Sequence, residues 1–285
     1  YLAANLDDEL GLDGQLIPGL EPNGVPRGLA GTATPFHFND IDSLRETIRG
    51  KESEIAAIII EPARGEDAPS EYLKTLREIA SEIGAVLIYD EITSAYRMCA
   101  GGIHRRYGIY PDIAVFAKSM ANGYAMSAIL GTEEVMQAAQ STFISSTNWT
   151  ERVGPTAALA TLKKYQETQT DKHIISIGNK TQQIWRDAAA KTGLQIDVTG
   201  LPTLSAFGFN SKKSMDLNTR FVTEMLQRGF LGFRQFKPSL AHGDVELEKY
   251  KNAVDDVFLL LSKLSNDEII SSPVAHTGLH RLTKE

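Results

Sequence analysis

AVLIYDEITSAYR, Ala85 to Arg97, is an apolar run that stops at two adjacent acids, Asp90 and Glu91. A short apolar segment of this kind reads as a strand inside a sheet, and the acids then stand at its carboxyl end. What precedes it decides the kind of sheet. EIAAIIIEP, Glu54 to Pro62, is a second apolar run, read as a strand buried on both faces and ended by Glu61 and Pro62. Between the two, SEYLKTLREIASEIG places Leu73, Leu76, Ile79, Ala80 and Ile83 at helical spacing, with Ser70 as cap and Gly84 as terminator. Strand, helix, strand predicts parallel strands joined by a right-handed crossover. PDIAVFAK adds a third strand ended by Lys118, and ANGYAMSAILG turns through Asn122 and Gly123 into a fourth. Such an open α/β sheet binds its ligand beyond the carboxyl ends of its strands. Glu61, Asp90 and Lys118 all stand there.

Outward from this sheet the chain changes character. The first 38 residues are rich in glycine and proline and read as irregular loop, followed by a short helix in NDIDSLRETIRG that Asp40 or Asp42 can cap. From Pro155 onward helices dominate. Strands near QIDVTG and TLSAFGFN, a helix from about Met215 to Arg228 and a last helix capped by Asp244 predict a small α+β domain. Leu247, Tyr250, Val254, Val257, Phe258, Leu261 and Leu264 form the core stripe of that last helix. We divide the chain into a large domain over 1–168 and a small one over 169–285.

The 285 residues carry a net charge of -7, which disfavours nucleic acid and anionic membrane as partners because both need a basic surface. No apolar run is long enough to span a bilayer. A single cysteine, Cys99, rules out an intrachain disulfide, fits a reducing cytoplasm, and is read as a packing residue. The sequence opens at Tyr1 without methionine and is read as an excerpt lacking its N-terminal part.

Two chemistries use an acid pair at a strand end. A magnesium nucleotide hydrolase would also need a glycine-rich loop ending in Gly-Lys-Ser or Gly-Lys-Thr, and here Gly50 and Lys51 are followed by Glu52, so this alternative stands only with a phosphate loop lost with the N-terminal part. A pyridoxal phosphate enzyme needs a lysine to carry the cofactor and an acid to keep its ring nitrogen protonated. Lys118 and Asp90 suit those two roles. If the strand continues past Asp90, Ile92 projects from the same side and can pack on the ring, while Glu91 points away and is structural. A third possibility is a truncated module that keeps the fold without catalysis.

The succession EPARG, YLKTLREIASEIGAVLIYDEI, SAYR and PDIAVFAKSMANGYAMSAILG resembles the class III aminotransferases, particularly the branch of glutamate-1-semialdehyde 2,1-aminomutase. The likeness runs on through STNWTERVGPTAALATL to FKPSLAHGDVELEKY, so it covers most of the chain. The resemblance implies a fold-type I, aspartate aminotransferase-like transferase of pyridoxal 5'-phosphate, without a metal. By it, Lys118 carries the cofactor, Asp90 holds the ring nitrogen, Ile92 packs on the ring and Glu61 stands close by. Thr150 corresponds to a threonine that reaches the cofactor phosphate of the neighbouring subunit, which implies a homodimer with shared sites acting on small amines and carbonyl compounds. Glu66 matches a position that in some members faces a gating arginine. His242, His276 and His280 are read as structural or surface residues. TERVGP and the lone Asn-Gly after the lysine depart from the family's usual pattern and point to a branch with its own substrate.

Overall fold

The computed structural model describes residues 24–63, 65, 67–145 and 150–264. Glu66, His276 and His280 lie outside the described residues. Among the described residues, those up to Glu52 belong to one compact unit and those from Ser53 to a second. In the first, helix α1 (Ile41–Ile48) starts where the Asp40 carboxylate accepts from Ser43 N at 2.9 Å, and it buries Leu44 and Ile48, one turn apart.

The described residues of the second unit form two sheets. Strands β1 (Ala57–Ile60), β2 (Val86–Asp90), β3 (Ile113–Phe116) and β4 (Ala128–Gly131) lie in sequence order, the first three parallel and β4 antiparallel to β3. Helix α2 (Ser70–Ile83) links β1 to β2 and buries Leu73, Leu76, Ile79 and Ala80. It ends because Gly84 takes a left-handed conformation (φ 72) that costs glycine little. It begins one residue earlier than its serine suggests. Pro69 is the cap residue, its φ of -58 already suited to the turn, and Ser70 makes no capping bond.

β1 is not buried on both faces. Ile58 and Ile60 are buried, but Ile59 between them is 61% exposed, because alternate side chains face opposite sides of the sheet. β2 ends at Asp90 and β3 at Phe116, two residues short of Lys118.

Short helices α3 (His104–Tyr107) and α4 (Glu133–Gln137) flank β3 and β4 in the chain. Then come α5 (Val153–Thr168), α6 (Thr170–Thr192), β5 (Ile196–Thr199), β6 (Ser205–Phe209), α7 (Ser214–Gln227), β7 (Gln235–Phe236) and α8 (Asp244–Lys263). β5, β6 and β7 make an antiparallel sheet. Trp185 of α6, Phe207 and Phe209 of β6, Phe221 of α7 and Phe258 of α8 form one aromatic core. Each such ring contributes about 1.5–3 kcal/mol by burial. The Trp185 indole donates to Tyr250 OH at 2.9 Å, so its one polar atom stays satisfied.

The cap of α8 also differs from expectation. Gly243 occupies the cap and donates its N–H to the Glu246 carboxylate at 3.0 Å, while Asp244 is drawn outward to Lys180 at 2.7 Å. Of the described residues, no helix is long and apolar enough to cross a membrane.

Candidate active site

Parallel strands bring their carboxyl ends to one edge of a sheet, and the order β1-β2-β3 therefore gathers Glu61, Asp90 and Lys118 at adjacent positions. The register sets their levels. Ile60 pairs with Tyr89 and Asp90 with Val115, so Glu61 stands level with Asp90 while Lys118 lies three residues past Val115.

Lys118 opens a 3-10 turn, Lys118–Ala121, directly after an extended Ala117. Its own φ is 47, a left-handed backbone that a side chain bearing a Cβ adopts at a cost. Its Nζ donates to Thr93 Oγ1 at 2.8 Å, which closes a link between the ends of β3 and β2. Thr93 was missed by the sequence reading. Its signal exists only in three dimensions, since the two residues are 25 apart in the chain.

Asp90 accepts from Ile92 N through Oδ1 at 3.0 Å, and among the described residues its second carboxylate oxygen meets no protein donor. That short bond turns the chain straight after the strand, as Asp side chains commonly do. The strand therefore does not persist to Ile92, whose half-buried side chain is placed by the turn rather than by strand alternation. Tyr96, also left-handed at φ 59, anchors the far end of the turn by packing its ring on Phe116 and edge-on against Tyr165.

Glu91 is fully buried and takes hydrogen bonds from Ser94 Oγ, Ile103 N at 2.9 Å, His104 N at 3.0 Å and His104 Nδ1 at 2.8 Å. With its oxygens so engaged it cannot join Asp90 in holding one magnesium ion, and the pair is two separate sites. Among the described residues no cluster of three metal-ligating side chains occurs. Cys99 is half-buried, and burial pushes its thiol above the usual value, which makes it a poor nucleophile. His242 hydrogen-bonds within its own turn at Ser239 and stacks edge-on against Phe236.

Thr150 is exposed, and no hydrogen bond among the described residues joins it to Asp90 or Lys118. It is not the cap of α5 either. Arg152 holds the cap position, and the Glu151 carboxylate just before it takes the first helix amides, accepting from Val153 N and, at 3.0 Å, from Gly154 N. Beside the start of α5 lies an open cavity of about 500 Å³ lined in part by Ala121, Asn122, Tyr124, Arg152 and Thr156. The turn that Lys118 opens thus forms one of its walls.

A primary amine and a carboxylate at neighbouring strand ends are the donor set that a pyridine aldehyde needs, the amine for its carbonyl and the carboxylate for its ring nitrogen. Comparison with known proteins agrees with this chemistry. The class-III aminotransferase family model matches residues 33–243. The chain is 29% identical over 238 residues to a 3-aminobutyryl-CoA aminotransferase of Cloacimonas acidaminovorans, covering 77% of this chain and 58% of that protein. It is 31% identical over 258 residues to a glutamate-1-semialdehyde 2,1-aminomutase of Methanococcus maripaludis, covering 81% of this chain and 59% of that protein. Among solved structures it resembles the FumI protein of Sphingopyxis sp. MTA144 in its PLP internal aldimine form, at 25% identity and TM-score 0.76 over 80% of this chain and 57% of that one. An omega-transaminase from Sphaerobacter thermophilus shares the fold at 23% identity and TM-score 0.76 over 89% of this chain and 63% of that one. The chain thus spans about three-fifths of the length of the proteins it matches.

Proposed function

The chain belongs to the class III aminotransferase family, and from that membership we propose that the protein is a pyridoxal 5'-phosphate-dependent aminotransferase. It moves an amino group between an amine or amino acid donor and a keto acid or aldehyde acceptor. The observation that carries this reading is Lys118, two residues past the end of β3 and bonded to Thr93, with β3 lying next to β2, which ends at Asp90. When bound, the cofactor supplies a protonated ring that draws off the electrons left at the donor's α-carbon.

The protein's own residues divide the rest of the work. Lys118 carries the cofactor and, once its amine is free, takes the proton from the donor α-carbon as general base. The Thr93 hydroxyl orients that amine. Asp90 presents its unengaged oxygen to the ring nitrogen and keeps the proton there. Ile92 and Glu61 are assigned to the cofactor's surroundings, and Thr150 to the cofactor phosphate in the partner subunit of a homodimer. The cofactor portion is 1–168 and the smaller domain 169–285, and the protein works in the cytoplasm. A 2,1-aminomutase, which returns the amine to the same carbon skeleton, is the second reading, and the 31% identity to such an enzyme supports it.

Purified with the cofactor, the full protein is expected to show a visible absorbance band that borohydride locks onto Lys118, and Lys118→Ala is expected to lose the band and turnover together. A colourless protein, or a label on another residue, would overturn the proposal. Exchange of the amino group with an added keto acid separates the transferase from the aminomutase.

A further inference from the structure

Glu91 is a fully buried acid beside the site that the proposed chemistry leaves unused. Burial pushes its carboxyl up, but hydrogen bonds from His104, Ser94 and the amides of Ile103 and His104 outweigh that and hold it below the usual carboxylate range. The donors come from two places. Ser94 belongs to the turn after β2, and Ile103 and His104 to the entry of α3. The loop closes so tightly on the acid that a Cβ at Gly102 would lie 2.8 Å from Glu91 Oε1 and 2.4 Å from His104 Cε1. The backbone of the same residue is tied as well, with Glu91 N donating to Val115 O at 3.0 Å and Glu91 O accepting from Ala95 N at 2.9 Å. Asp90 lies immediately before this anchored residue and Thr93 two residues after it.

We propose that Glu91 is a positioning residue of the active site, clamped by His104 and Ser94 so that the turn presents Asp90 on one side and Thr93, the partner of Lys118, on the other. The inference rests on the roles given above to Asp90 and Lys118. His104 is the point where the clamp can be released, because its ring is the one donor besides Ser94 that a substitution can remove. The groups that feel the charge of Glu91 are Tyr89 of β2, Cys99 of the loop, and His104 and Tyr107 of α3, with Asp90 next to it in the chain. When a donor is lost, a less neutralised negative charge stands one residue from Asp90. A negative charge of that kind opposes the loss of a proton from a cofactor bound beside it.

The test uses His104→Phe, which keeps a ring and removes the donor, and His104→Asn, whose amide nitrogen falls near the Nδ1 position. In the full protein without cofactor, amide hydrogen exchange over residues 90–97 is expected to quicken about tenfold in H104F and to stay near wild type in H104N. With cofactor, the pH midpoint of the visible band is expected to move upward in H104F and not in H104N. Ser94→Ala offers a second release without touching the ring and is expected to shift both readouts in the same directions. Unchanged exchange and midpoint in H104F and S94A, or equal changes in H104F and H104N, would overturn the clamp. Absence of a band on wild-type Lys118 would instead overturn the proposed function, and the exchange measurement still decides the clamp.

Discussion

Thr93 is the residue at which one hydroxyl decides how the lysine is held. Thr93→Val keeps the branched shape and removes only the bond to Lys118 Nζ. A hydrogen bond to a charged group contributes about 1.5–3 kcal/mol, and the exposure of this one places it at the low end, so kcat is expected to fall about tenfold with KM little changed. Steady-state kinetics of the Thr93→Val protein checks this, and an unaltered kcat would remove Thr93 from the site. The sequence made Asp90 and Lys118 legible because each ends an apolar run. Thr93 carried no such mark, since nothing in DEITSAYR distinguishes it until β3 brings the lysine alongside. Ile92 shows the opposite case: the condition for strand alternation to place it, a strand running past Asp90, is not met, because a side-chain bond turns the backbone there.

Elements were legible where their apolar pattern alone defined them. The stripes of α2 and α8 and the strands β2 to β6 follow from periodicity, because burial demands it locally. Caps were harder to read: at both α2 and α8 the residue expected to cap entered the helix, and its neighbour took the cap. Two candidates one residue apart differ only in where the backbone turns into the helix, and sequence does not resolve that choice. The exposed side of β1 was likewise hidden, since a run of isoleucines looks the same whether one face is covered or two. Packing between elements yields a sharp expectation at Gly178 of α6, where an added Cβ would lie 1.8 Å from the carbonyl oxygen of Pro202. Backbone cannot yield as a flexible side chain does. Gly178→Ala is expected to lower the unfolding free energy by about 1–3 kcal/mol, as overpacking does, and urea unfolding measures it.

Over the whole molecule the two sheets are joined by contacts that no local reading reveals. Leu201, between β5 and β6, packs with Ala63 and Ile103, and Thr203 Oγ1 approaches Met98 Sδ at 3.2 Å across more than a hundred residues of chain. Stability against acid is also a property at this scale. Glu91 has a folded-state pKa below its unfolded value of about 4.3, so its stabilisation is complete above that value and is lost as pH falls through the lower, folded one. Lys180, Lys191 and the other exposed ion pairs add little to this, being screened by solvent. Glu91→Gln is expected to be less stable than wild type at neutral pH by about 1–3 kcal/mol and to lose less of its remaining stability on acidification. Unfolding curves taken from neutral pH to below pH 4 check both signs, and parallel curves for the two proteins would contradict them. The left-handed backbone at Lys118 carries a consequence for how such a chain can evolve. Glycine or asparagine would rest there with less strain than lysine does. A lineage released from the need for turnover would therefore drift downhill away from the lysine, gaining robustness as it lost its reaction, and only continued use holds the residue in place.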